Sequence, residues 1–274
     1  SSDETNRSGD DFSSWCWKGG TTSGLTGGTI TPSSYSFNAT SGVGVYVWTG
    51  TGSAGTIPHG LGQVPTFIAV KSTSNTADWS VYQGPIGYNA GSTAAPGTID
   101  MTLNDSNART TSSTMWNDVD ATSTVFSVGT NTQTNNTAYT YVAYVFCDTS
   151  GFSKSGKYRG NNNADGPLIY TGFEPSFIMV KDRDSGGPAG YGWSMITNTF
   201  GMQGATDWYW NELTMSFYAD QNVLATAVCN VDFLSNGFKL RGTGSNQNPG
   251  EYMMYLAFAR NPFVNSSGVP GNAR

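Results

Sequence analysis

Two stretches of the chain carry the same pattern: a proline, an unbroken apolar run and a lysine. "PTFIAVK" occupies 65–71 and "PSFIMVK" occupies 175–181. An apolar run without alternation predicts a short strand buried on both faces. Other segments alternate. "GVGVYVWTG" (42–50) and "STVFSVG" (123–129) switch between apolar and small or polar positions and are bounded by glycine, as half-buried strands are. "YTYVAYVF" (139–146) and "YMMYLAFA" (252–259) read as aromatic-rich closing strands. No convincing amphipathic stretch of helical period is present, so the pattern predicts strands throughout.

The two heptapeptides belong to a longer self-similarity. Pro65 and Pro175 are 110 residues apart, and "TGTGSA" (49–54) faces "RGNNNA" (159–164) at that same offset. Trp79-Ser80 matches Trp193-Ser194 at 114. From Met101 onward the offset is 112: "MTL" (101–103) meets "LTM" (213–215), Val119-Asp120 meets Val231-Asp232, Phe126 meets Phe238, and Phe146 meets Phe258. Matches that keep their order, with the offset changing only in Gly/Ser/Asn-rich segments, indicate an internal duplication.

The expected fold is therefore all-β: two tandem β-sandwich domains of jelly-roll-like type, at 42–150 and 151–264. Residues 42–147 and 152–259 should superpose, with Phe67 on Phe177 and Val70 on Val180. "FSSWCWK" (12–18) aligns with "YVAYVFC" (141–147), pairing Phe12 with Tyr141, Trp15 with Tyr144 and Trp17 with Phe146. On that alignment 1–19 is the closing strand of an upstream repeat, with Phe12–Lys18 as a strand, 20–41 a linker and 265–274 a C-terminal tail. The polar start without Met reads as a cut or partial chain.

Composition narrows the function. Only 12% of the 274 residues are charged, about half the usual share, while 35 are glycine and 13% are aromatic. That suits short strands joined by many turns. A net charge of −6 without basic clusters argues against nucleic acid as a partner. No apolar run approaches the roughly 18 residues of a helical span, so membrane insertion is not expected. Cys16, Cys147 and Cys229 are odd in number and lack metal-ligand spacing, which reads as free buried thiols.

Candidate chemistry is sparse. His59, in "TIPHGLG", is the only histidine, and the matching position holds Thr171, so it reads as a turn residue and not a catalytic base. Asp118 and Asp120 could suggest a carboxylate pair or calcium site. Asp120 shares its repeat position with Asp232, which favours an Asx-turn, and calcium stays open. "RGNNNADG" (159–166) reads as a turn. Trp79, Trp193, Tyr144, Phe126, Phe146, Phe238 and Phe258 sit at matched or strand positions and read as core. "DWYW" (207–210) differs, because the first copy has "APGT" (95–98) there. Asp207, Trp208, Tyr209, Trp210 and Asn211 are the candidate binding residues. Subunit contact, glycan contact and packing within the domain are the three readings of that cluster.

"GTGSAGTIPHGLGQVPTFIAVKSTSNTADWSVY" (50–82), "GFSKSGKYRGNNNADGPLIYTGFEPSFIMVK" (151–181), "VDFLSNGFKLRGTGSNQN" (231–248) and "YLAFARNPF" (255–263) together resemble a repeat domain of tail and fibre proteins in tailed bacteriophages, particularly marine ones. The resemblance implies a non-enzymatic virion structural protein, part of a tail fibre or host-contact appendage, and supplies no catalytic residues; no cofactor is expected. It also implies a homo-oligomer, a trimer first, contacting other virion proteins and, as a further candidate, a host surface glycan. A capsid decoration or head fibre is the nearest alternative, and a carbohydrate-binding or carbohydrate-active sandwich the more distant one.

Overall fold

The computed structural model describes residues 14, 16–84, 95–185, 192–197, 212–213, 217–219, 231–243 and 246–261. In the first half the strands are β1 (Ser34–Asn38), β2 (Val43–Thr49), β3 (Gly55–Pro58), β4 (Pro65–Ser72), β5 (Ser80–Gln83), β6 (Ile99–Thr102), β7 (Thr110–Thr111), β8 (Val125–Val128) and β9 (Thr140–Cys147). In the second half they are β10 (Ser153–Arg159), β11 (Leu168–Tyr170), β12 (Pro175–Asp182), β13 (Ser194–Thr197), β14 (Glu212–Leu213), β15 (Phe217–Tyr218), β16 (Val231–Leu234), β17 (Gly237–Leu240) and β18 (Tyr252–Ala259). A short 3-10 turn lies at Pro96–Thr98. The fold is all-β, and its strand pairs are antiparallel.

Four sheets form. The first half has a seven-stranded sheet, β1-β2-β9-β4-β5-β6-β7, and a two-stranded one, β3-β8. The second has a five-stranded sheet, β10-β18-β12-β13-β15, and a four-stranded one, β11-β17-β16-β14. Three apolar layers lie between them. Ile57, Ile68, Val70, Phe126 and Val145 fill the first half's interior, and Ile169, Ile178, Val180, Val231 and Phe238 the second's. The third layer joins the two large sheets back to back, with Phe67, Ala69 and Ile99 meeting Phe177, Met179 and Leu256.

That stacking explains the unbroken apolar runs. In β4, Ile68 and Val70 point into one layer while Phe67 and Ala69 point into the other; β12 does the same with Ile178 and Val180 against Phe177 and Met179. Successive side chains on a strand face opposite sides, so a strand covered twice has no polar side to show. The two strands also pair alike. Pro65 and Phe67 pair with Cys147 and Phe146 across a register shift, and Pro175 and Phe177 pair with Ala259 and Phe258 across another.

Polar bonds lock the seam between the halves. The Trp193 indole Nε1–H donates to the Thr102 carbonyl at 2.7 Å. Gln83 Nε2 reaches the Gly156 and Tyr255 carbonyls at 3.3 Å each. Asp184 takes Arg109 at 2.7 Å and Arg183 at 2.9 Å, one cation from each half.

Four readings from the sequence are corrected here. Cys16–Lys18 is not in a strand; it crosses the end of the seam, where Trp17 packs against both Phe146 and Phe258, with ring centroids at 5.3 and 5.2 Å. A tryptophan covering two rings replaces the expected ladder. The stretch read as a linker contains β1, an edge strand paired with β2 from Ser34↔Val47 to Asn38↔Val43. Cys16 is exposed, because the segment lies on the surface, whereas Cys147 is buried. Tyr144 is 36% exposed, since the five-stranded sheet does not cover that part of its face.

Candidate functional site

The candidate polar side chains are engaged in internal hydrogen bonds. His59 is fully buried; its Nδ1 accepts the Leu61 N–H at 3.2 Å and its Nε2 donates to the Thr122 carbonyl at 3.1 Å. Both ring nitrogens are committed, and burial holds the imidazole below its ordinary pKa. Thr171, at the matching place, accepts the Phe173 N–H at 3.4 Å. The amides of the two residues are also bonded alike, to the carbonyls of Thr124 and Asn236. His59 is thus a turn residue, enclosed by its surroundings.

Asp120 accepts the Gly97 N–H at 2.7 Å, and Asp232 accepts Arg241 Nε at 2.6 Å. Asn117 and Asp118 have φ of 58° and 54°, a left-handed turn that asparagine and aspartate tolerate best. No group of three metal-ligating side chains gathers among the described residues. In "RGNNNADG", Asn162 has a φ of 48°, and Asn161 and Asn163 accept amides two residues onward, as a turn requires. Burial pushes the Cys147 thiol up to about 12, and the thiol donates weakly to the Gln63 carbonyl at 3.5 Å, so it is inert.

Two asparagines that composition hid are heavily bonded polar groups. Asn135 Nδ2 donates to Thr51 Oγ1 (3.1 Å), the Ser53 carbonyl (2.7 Å) and the Gly129 carbonyl (3.1 Å), while its Oδ1 accepts the Thr51 N–H (2.9 Å). Asn248 Nδ2 donates to Asn161 Oδ1 (3.1 Å), the Asn163 carbonyl (2.8 Å) and the Gly242 carbonyl (2.8 Å), and its Oδ1 accepts the Asn161 N–H (2.9 Å). Beside each staple a glycine is required. A Cβ at Gly50 would lie 2.0 Å from the Asn136 carbonyl oxygen, and one at Gly160 1.7 Å from that of Pro249. Asn135 lies in an N-x-T triplet of no evident significance in so Asn- and Thr-rich a chain; the signal for it is its spacing of 113 from Asn248.

Asp100 on β6 was also missed. It is buried beside Trp116, its Oδ1 has no hydrogen-bond partner, and desolvation pushes the carboxyl up to about 8. The Met101 backbone amide and then the Trp116 indole oppose that shift without cancelling it. An acid inside an otherwise apolar strand, "TIDMT" (98–102), was the available signal.

Two surface features remain. An apolar cavity of about 170 Å3 lies at the seam, lined by Cys16, Trp17, Phe152, Phe177 and Phe258. On the outer face of the seven-stranded sheet, Trp79 leans on the exposed Tyr144 with ring centroids 6.0 Å apart. Asp207, Trp208, Tyr209, Trp210 and Asn211 lie outside the described residues, as does Cys229.

These observations define a layered, antiparallel all-β protein whose described polar side chains mostly fasten turns. The chain belongs to the family described as a domain of unknown function, DUF7483, which matches residues 1–262 and so runs through both halves. No curated protein and no solved structure matches it.

Proposed function

We propose that the chain is a non-enzymatic structural protein of a tailed-phage virion, built from two tandem copies of one β-sandwich and serving in a tail fibre or host-contact appendage. The observation that carries the reading is the pair of asparagine staples. Asn135 and Asn248 hold loops at corresponding positions by corresponding contacts, in a chain whose halves also share the Pro–Phe register shift. Polar groups used in this way rigidify the turns between strands, as an extended appendage requires. The resemblance of 50–82 and 151–181 to repeats of phage fibre proteins supports the virion assignment. In this reading the chain forms a homo-oligomer, a trimer first, and touches other virion proteins. A host surface glycan is a further partner.

Quantitative mass spectrometry of purified particles tests the proposal. The expected result is the intact chain at a fixed number of copies per particle. Its confinement to infected-cell lysate, with none in washed particles, would overturn the reading.

A further inference from the structure

We infer that the uncovered outer face of β2 and β9 is a self-association surface, and that its occupant is a second copy of this chain. The inference rests on the reading above of an oligomeric structural protein and names the face used.

The outward positions of β2 are Val43, Val45 and Val47, and those of β9 are Val142, Tyr144 and Phe146, because faces alternate along a strand. Val43 and Phe146 are buried in the layer between the halves. The remainder of the same stripe runs out from under that layer: Val45, Val47 and Val142 are half-buried, and Tyr144 is exposed. They form one patch, since Val45 pairs with Tyr144 and Val47 with Val142 across the ladder. Trp79 extends it. The patch is therefore continuous with an interface the molecule already makes. Its flanking cation is also turned aside, as Lys71 Nζ donates to the Ala77 carbonyl.

The second half indicates what fits there. Counting back from the paired phenylalanines Phe146 and Phe258, the places of Tyr144 and Val142 on β9 are those of Leu256 and Met254 on β18. Leu256 is 5% exposed and Met254 1% exposed, both covered by the first half's sheet. The outer face of this sheet type is thus already complementary to the same fold within one chain. A second copy offers the same complement to the open patch, with Tyr144 and Trp79 as aromatic anchors of the kind that dominate interfaces.

Sedimentation equilibrium of the full chain tests this. The wild type, Tyr144→Glu and Val142→Glu are compared with Tyr170→Glu, which alters an exposed tyrosine on β11 well away from the patch. Urea unfolding checks that each variant keeps its fold, and Tyr144→Ser replaces any charged variant that does not. The expected result is an oligomeric wild type and Tyr170 variant. Self-association in the patch variants should weaken about 30-fold or more, the effect of losing one anchor. An oligomer unchanged in every folded patch variant would overturn the face while leaving the oligomeric reading intact. A monomeric wild type at micromolar concentration would overturn both.

Discussion

Replacing Asp100 with Asn should change how stability depends on pH. The carboxyl is 3% exposed on β6, while its neighbours Ile99 and Met101 help to join the halves. Its folded pKa is pushed from 3.8 to about 8, first by desolvation. Between those values the unfolded chain has lost the proton and the folded chain keeps it. The contribution of Asp100 to stability is therefore complete below about 4, falls with rising pH, and levels off above about 8. Each pH unit in that window costs about 1.36 kcal/mol, so from pH 5 to pH 8 the loss is of order 4 kcal/mol, an upper value. Asparagine has nearly the same shape and does not titrate. Its buried amide carries a pH-independent cost of about 1–3 kcal/mol if a donor goes unmet. The informative quantity is therefore the variant-minus-wild-type difference at the two pH values, in which the other titrating groups cancel. Urea unfolding followed by tryptophan fluorescence measures it. Asp100→Asn should gain several kcal/mol relative to wild type between pH 5 and pH 8. A difference independent of pH would show that Asp100 ionises normally in the folded chain and refute the argument.

Three further outcomes are expected. Asn135→Ala and Asn248→Ala each remove an amide whose two N–H hydrogens are shared among three acceptors and whose oxygen accepts one N–H, so each should cost about 3 kcal/mol in urea unfolding; costs under about 0.5 kcal/mol would show that water replaces the staple. A maleimide reagent should modify Cys16 in the native protein long before Cys147, read by peptide mapping, and equal rates would contradict the placement of the two thiols. His59→Thr, which borrows the residue of the matching turn, should unfold at lower pH than wild type in an acid titration. The native imidazole is held below its ordinary pKa, so wild-type stability falls as pH drops through about 6.5 and the His59 contribution vanishes in the variant.

The parts of the fold legible in the sequence are those where burial is continuous. Phe67–Val70 and Phe177–Val180 read as doubly covered strands because apolar residues fill both faces, and both lie between two layers. Legibility fails where a face is covered for only part of its length. Tyr144 shares a stripe with the buried Phe146, and nothing in "YVAYVF" marks where the neighbouring sheet stops. Trp17 aligns with Phe146 because both are aromatic, yet it packs on Phe146 itself as a surface wedge. Ser34–Asn38 is too polar to announce a strand, and its pairing comes from the edge of β2. Asn135 and Asn248 were hidden by the abundance of asparagine. Their importance comes from three-dimensional convergence of Thr51, Ser53 and Gly129, or of Asn161, Asn163 and Gly242, which no local window contains. His59 reads as a turn residue and bonds the Leu61 amide two residues on, whereas Asp120, expected to close an Asx-turn, accepts the distant Gly97 amide instead.

The central claim is that this chain is a structural element of a phage appendage, and locating it within the particle tests that most directly. In a cryo-electron-microscopy reconstruction of particles labelled with a Fab against the chain, the account predicts Fab density on a tail fibre or other host-contact appendage, at symmetry-related positions. Fab density on the capsid shell would contradict the appendage assignment, and particles without Fab density would contradict the virion assignment itself.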